Sequence, residues 1–282
     1  MSGPLIGTAA LAARLSEPNT RVVDCRFDLG DPEAGRRDYL AGHIPGAVFA
    51  DLDRDLAGPV TASSGRHPLP SAAEFAARLG ELGIGNDSSV VVYDAGSGAL
   101  AARAWWMLRW LGHDDVRLLE RGISGWTADG HPLESGDVEV DACRFEPDVR
   151  HGITIGTEQL AERIAAPTDF ALVDARDRSR YRGESEPIDP VAGHIPGAVN
   201  LPFSDLLDDE GGFLPVEELR SRLAEVIGSD DSMRWAVMCG SGVTACHLAI
   251  ASAVAGRAEP LLYTGSWSEW IRDPTRPIST GE

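Results

Sequence analysis

Long apolar runs are missing from this sequence, and their absence excludes membrane-spanning helices, which need roughly 18 consecutive apolar residues. Cysteine is scarce as well. The four cysteines, Cys25, Cys143, Cys239 and Cys246, include no pair at metal-ligand spacing and suggest no disulfide framework. Met1-Ser2-Gly3-Pro4 lacks a basic stretch leading into an apolar one, so no signal peptide is expected, and a reducing cytoplasmic compartment with free thiols is the expectation. Positive charge is in deficit: 25 basic against 44 acidic residues leave a formal net charge of −19. Phosphate backbones and anionic membranes repel such a surface, so neither nucleic acid nor membrane is expected as a partner. An anionic substrate would need a local positive pocket.

What is present is enough for a sizeable core. The chain has 282 residues, 43% hydrophobic and 24% charged, which allows one large domain or two ordinary ones. The internal pattern decides for two. Gly42-His43-Ile44-Pro45-Gly46-Ala47-Val48 returns 151 residues later as Gly193-His194-Ile195-Pro196-Gly197-Ala198-Val199. Upstream of each lies a similar strand, Val22-Val23-Asp24-Cys25-Arg26 and Leu172-Val173-Asp174-Ala175-Arg176. Downstream, Val90–Asp94 followed by Ala95-Gly96-Ser97-Gly98 matches Ala236–Cys239 followed by Gly240-Ser241-Gly242. A fourth pair is Gly122-Ile123-Ser124-Gly125-Trp126 against Gly265-Ser266-Trp267-Ser268-Glu269-Trp270. Four landmarks in one order define two copies of one domain, 1–135 and 153–282, with 136–152 as the expected linker.

Each copy alternates strand and helix. Val90–Tyr93 and Trp235–Met238 are short apolar runs expected as buried parallel strands. Ala72–Leu82 and Val216–Ile227 are amphipathic, and Ser71 with Glu74 predicts a capping box on the first. The fold class is therefore α/β: two tandem domains, each a mostly parallel sheet with helices on both faces. Ligands of such sheets bind beyond the carboxyl ends of the strands.

Cys239 stands at such an end, between an apolar strand and a helix expected from about Ala245 to Ala255. A solitary cysteine there is commonly a small buried hydrophobe. The loop Cys239-Gly240-Ser241-Gly242-Val243-Thr244 argues otherwise. Gly240 and Gly242 permit positive φ, so backbone N–H groups can turn inward and form an anion-binding nest at a helix N-terminus. A thiolate or anionic persulfide in that nest is stabilised, and the thiol pKa should fall. Cys246, on an apolar stripe with Ile250, reads as core, and Cys25 and Cys143 as packing residues.

Together, the two GHIPGAV segments, the loop Cys239-Gly240-Ser241-Gly242-Val243-Thr244-Ala245-Cys246 and the Gly265–Trp270 end resemble the tandem rhodanese family of thiosulfate and 3-mercaptopyruvate sulfurtransferases. The resemblance covers almost the whole chain. It implies rhodanese-like domains with catalysis in the second copy only, through a persulfide on Cys239. Asp94 occupies the equivalent position in the first copy and cannot accept sulfane sulfur. In this family the first-domain histidine, here His43, can contribute to the cleft, although a turn-stabilising role is the stronger expectation for His43 and His194. Acceptors implied at family level are thiols, thioredoxin-like proteins or cyanide. No metal or organic cofactor is implied.

The resemblance also bears on the donor. Gly240-Ser241 resembles the mercaptopyruvate branch, whereas thiosulfate enzymes tend to place basic residues there. Gly240, Ser241, Gly242, Val243 and Thr244 are the expected substrate loop. Arg180 matches the family's substrate arginine, and a guanidinium clamps a carboxylate with two hydrogen bonds. Arg176, Arg178 and Arg182 are expected as solvated surface. Mercaptopyruvate enzymes usually carry a second arginine nine positions after the first. Asp189 stands there, so either another arginine substitutes or the donor shifts towards thiosulfate. Two rival functions fit less well. A cysteine phosphatase of related fold needs an arginine six positions after its cysteine, where Ala245 stands, and a non-catalytic binding module has no use for Cys239.

Overall fold

The computed structural model describes residues 3–165, 170–229 and 234–282. They group into two compact units that are not contiguous in sequence. Of the described residues, the first comprises those within Met1–Gly58, Leu69–Arg150 and Asp209–Gly212, and the second those within Pro59–Pro68, His151–Asp208 and Phe213–Glu282. The stretch expected as a linker is structured on the first unit for much of its length. Cys143 N–H donates to Gly80 O, Asp148 N–H to Leu111 O and Arg150 N–H to Trp110 O, and Phe145 is buried.

The first unit contains strands β1 (Leu5–Ile6), β2 (Thr20–Asp24), β3 (Val48–Phe49), β4 (Ser89–Tyr93) and β5 (Val116–Leu119). Its helices are α1 (Thr8–Arg14), α2 (Ala34–Ala41), α3 (Ala72–Glu81), α4 (Ala101–Trp110) and α5 (Gly122–Ala128). The second unit repeats the series with β6 (Thr154–Ile155), β7 (Phe170–Asp174), β8 (Ala198–Asn200), β9 (Arg234–Met238) and β10 (Leu261–Tyr263). Its helices are α6 (Thr157–Ala165), α7 (Arg178–Arg182), α8 (Val216–Ile227), α9 (Ala245–Val254) and α10 (Ser266–Trp270). The strand orders are β1-β5-β4-β2-β3 and β6-β10-β9-β7-β8, with every pairing parallel.

The local chemistry explains these elements. Every residue of β4 is buried, as are Trp235–Met238 of β9, because helices cover both faces of a parallel sheet. The amphipathic α8 buries Leu219, Leu223 and Ile227, one stripe at i, i+4, i+8. The capping box on α3 is formed: Ser71 Oγ accepts from Glu74 N–H and Glu74 accepts from Ser71 N–H. By contrast α4 and α9 are buried nearly all round, from Ala101 to Leu108 and from Ala245 to Ser252. Each follows the central strand of its sheet, so the loop between them is held by the best-packed part of the unit. Among the described residues no helix is long and apolar enough to cross a membrane.

Candidate active site

Cys239 follows β9 directly and is 2% exposed. Four hydrogen bonds position it and the residue after it. Its N–H donates to Ser266 Oγ (3.1 Å), whose hydroxyl donates to Tyr263 O (2.9 Å). Its carbonyl accepts from Trp267 N–H (3.0 Å), and Gly240 O accepts from Ser268 N–H (2.9 Å). The thiol sulfur accepts from Gly242 N–H at 3.2 Å. Gly242 has φ +76°, the left-handed conformation that glycine adopts without a steric penalty. Gly240 differs from expectation, since its φ is not in that region. Its value is space: a Cβ there would lie 2.7 Å from Arg66 Nη2 and 3.6 Å from Arg180 Nη2. Val243 is buried and Thr244 precedes α9. Cys246 is fully buried, and its thiol donates to Gly242 O, while Cys143 is exposed rather than packed.

Arg180 lies on α7 with its side chain 15% exposed. Its Nε donates to both oxygens of Glu186 at 3.0 Å, and its Nη2 to Asp189 Oδ2 at 3.1 Å. Burial pushes the Glu186 carboxyl up, but hydrogen bonds from Arg180 and the N–H groups of Asp189 and Ile188 outweigh it, leaving Glu186 below the usual carboxylate range. Asp189 goes the other way. Burial raises its carboxyl, with Glu186 adding to the rise and Arg66, Arg180 and Arg176 opposing it.

Arg176 corrects an expectation. It is not solvated surface: its side chain is 1% exposed, paired with Asp174, donating to Gly193 O and lying over the Trp267 ring at 4.8 Å. The same arrangement recurs in the first unit, where Arg26 pairs with Asp24 and donates to Gly42 O. A buried guanidinium with these partners fixes the turn before the GHIPGAV segment. Arg178 is exposed and Arg182 half-buried, and they pair with Asp205 and Glu282.

His43 is fully buried in the first unit, stacked on Tyr39 with Nδ1 at 2.8 Å from Tyr39 O. His194 has the same setting against Tyr181 in the second. Two residues on segment 59–68 joined the second unit without being singled out in the sequence. Arg66 Nη1 pairs with Asp189 Oδ1, and His67 Nδ1 lies 2.7 Å from Ser241 Oγ. The signal was an arginine–histidine pair in a Ser/Gly/Pro-rich loop that the repeat does not duplicate. Comparing the copies drew attention away from it.

In the first unit the loop after β4 holds a carboxylate where the second holds sulfur. Asp94 Oδ1 accepts from Gly96 and Gly98 N–H (3.0 and 2.9 Å), and Oδ2 from Leu100 and Ala101 N–H (2.9 and 3.2 Å).

A duplicated parallel α/β fold, with a cysteine in one strand-to-helix loop and two guanidiniums beside the residue after it, is the architecture of the rhodanese-like class. The comparisons name the family. The Rhodanese-like domain description matches residues 8–129 and 156–273, and the chain belongs to the rhodanese family. It is 49% identical over 283 residues to the "Probable 3-mercaptopyruvate sulfurtransferase" of Pseudomonas aeruginosa, covering 100% of this chain and 99% of that one. It is 37% identical over 274 residues to the thiosulfate sulfurtransferase of Bos taurus, covering 94% and 90%. Among solved structures, the 3-mercaptopyruvate sulfotransferase SseA of Escherichia coli superposes with TM-score 0.84 at 32% identity, covering 95% of this chain and 100% of that one. The chain is a sulfurtransferase that moves sulfane sulfur from a small donor to a thiophilic acceptor.

Proposed function

We propose that Cys239 is the residue that carries the sulfur, that 3-mercaptopyruvate is the preferred donor, and that the second copy, 153–282, is the catalytic domain. On this reading 1–135 is an inactive domain and 136–152 connects the two. The observation that carries the proposal is the pair of loops after β4 and β9. One holds a full carboxylate on four N–H groups, so its backbone is an anion cradle. The other presents Gly242 N–H to a sulfur that can change its charge and length.

The chemistry balances as follows. Cys239 thiolate attacks the sulfur of 3-mercaptopyruvate, the sulfur–carbon bond breaks, and its electron pair leaves as the pyruvate enolate. The proton of the donor thiol moves to the enolate carbon, giving pyruvate and an anionic Cys239 persulfide. The loop N–H groups hold the outer sulfur's charge. In this reading Ser241 Oγ, 2.7 Å from His67 Nδ1, donates to the enolate oxygen as charge develops there. Arg180 holds the donor carboxylate. An acceptor nucleophile then attacks the outer sulfur and Cys239 leaves as thiolate. Thiols, a thioredoxin-like protein or cyanide have the required nucleophilicity. Thiosulfate is the second donor, since a guanidinium pocket also suits a compact dianion. His43 and His194 serve as turn residues, and the compartment is cytoplasmic.

Mass spectrometry after exposure to 3-mercaptopyruvate without acceptor tests this. The wild-type chain should gain one sulfur, released by cyanide, and Cys239→Ser should gain none and lose turnover by about a thousandfold or more. Persistent sulfur transfer in Cys239→Ser would sink the assignment.

A further inference from the structure

The chain contains no lysine, so a cation set against a donor's carboxylate must be an arginine or a protonated histidine. Two guanidiniums crowd Gly240, the residue after Cys239: they belong to Arg180 and Arg66. Arg66 is held firmly. Its own N–H donates to Ser268 Oγ (3.0 Å), Arg272 Nε donates to Ser64 O (3.1 Å), and His67 Nδ1 meets Ser241 Oγ. Gly65 packs so closely that a Cβ would lie 2.6 Å from Gly265 O.

Between the two guanidiniums lies Asp189, its side chain 3% exposed. One oxygen pairs with Arg66 Nη1 and the other takes Arg180 Nη2 at 3.1 Å. A carboxylate with one guanidinium on each oxygen is the arrangement a bound donor carboxylate would have. The two arginines are not equally committed to their partners. Arg180 keeps Glu186 on its Nε whatever Asp189 does. Arg66 Nε is buried without an acceptor, so that guanidinium has an unfilled donor as well as an exchangeable ion pair.

We propose that Arg66 and Arg180 together bind the carboxylate of the donor, and that Asp189 is an internal carboxylate that holds the pair until the donor exchanges with it. The proposal rests on the 3-mercaptopyruvate reading and adds the second cation to it. Exchange of one carboxylate for another keeps the number of ion pairs constant, so donor affinity is set by what Asp189 gives up. Asp189→Asn removes the competing charge and leaves both guanidiniums in place. Arg66→Met removes one arm of the clamp.

The test is the kinetics of persulfide formation with 3-mercaptopyruvate and with mercaptoacetone, the same mercaptoketone without its carboxylate. Arg66→Met should raise KM for 3-mercaptopyruvate about tenfold or more, the loss of one charge-assisted pair, and change kcat little. Asp189→Asn should lower that KM several-fold. Neither should move KM for mercaptoacetone. If the Arg66–Asp189 bridge only fastens segment 59–68, both variants break it and shift both donors in one direction, which overturns the proposal. An unchanged KM in Arg66→Met overturns it too. Arg66→Lys, which keeps the charge but not the fork, covers a Met variant that does not fold, and should fall between wild type and Arg66→Met. A wild-type enzyme that takes no sulfur from 3-mercaptopyruvate removes the donor reading itself, before any variant is compared.

Discussion

The loops after β4 and β9 are the same backbone device filled in two ways. Gly98 and Gly242 share φ near +75°. Asp94 O accepts from Ile123 N–H and Cys239 O from Trp267 N–H, both at 3.0 Å. Gly98 N–H donates to Asp94 Oδ1, and Gly242 N–H to Cys239 Sγ. In the first unit the Asp94 side chain fills the cradle and caps α4, so the loop is a structural joint. In the second the cradle faces the sulfur of Cys239. A second difference goes with the first. The residue before the stacked tyrosine is Asp38 in one unit and Arg180 in the other, although Tyr39 and Tyr181 make the same contacts, each donating its hydroxyl to the carbonyl of Ala47 or Ala198. Duplication preserved the joints and changed the residues beside them.

That comparison can be broken at its strongest point. Arg180→Ala removes the cation that the first unit lacks, and should raise donor KM about 30-fold or more, the worth of a charge-assisted pair of hydrogen bonds, with the thermal unfolding midpoint little changed. An unchanged KM for both donors would remove Arg180 from the site. Asp94→Ala should show the opposite profile. Four backbone donors lose their acceptor, costing about 2–4 kcal/mol in urea unfolding, while persulfide formation on the folded protein continues. Gly240→Ala installs the side chain that the first unit carries at Ala95. The added methyl meets Arg66, so KM should rise roughly fivefold, about 1 kcal/mol of overpacking, with the fold intact. The smallest effect is one of pH. Asp189 is ringed by Arg66, Arg180, Arg176 and Glu186, and burial holds its carboxyl above the usual range. As pH falls through that raised value, Asp189 becomes neutral and loosens its hold on both guanidiniums. The KM ratio of wild type to Asp189→Asn should therefore fall towards one by a few-fold at the acid end. A ratio flat with pH would count against Asp189 as the competing anion.

Much of the molecule was legible from residue patterns. The repeated strand and GHIPGAV signatures, the capping box at Ser71 and the buried runs at β4 and β9 depend on local preference and periodicity, which the chain states directly. The equivalence of Cys239 and Asp94 was legible because the two loops could be set side by side. Arg176 was misread because one buried salt bridge looks like any other arginine in a charged stretch until its partner, Asp174, and the Trp267 ring are placed around it. Asp189 looked like a defect in the pocket for the same reason: its meaning depends on Arg66, 123 residues earlier.

The sequence by itself determined the duplicated α/β architecture, the pairing of the Cys239 loop with the Asp94 loop and the sulfurtransferase class, because those follow from near-neighbour order along the chain. Only the tertiary structure decided which cations surround that cysteine. A short polar loop has no periodicity to announce where it goes, and the fold carries segment 59–68 into the second unit. There Arg66 and His67 reach Asp189 and Ser241, contacts that no local pattern in the chain announces.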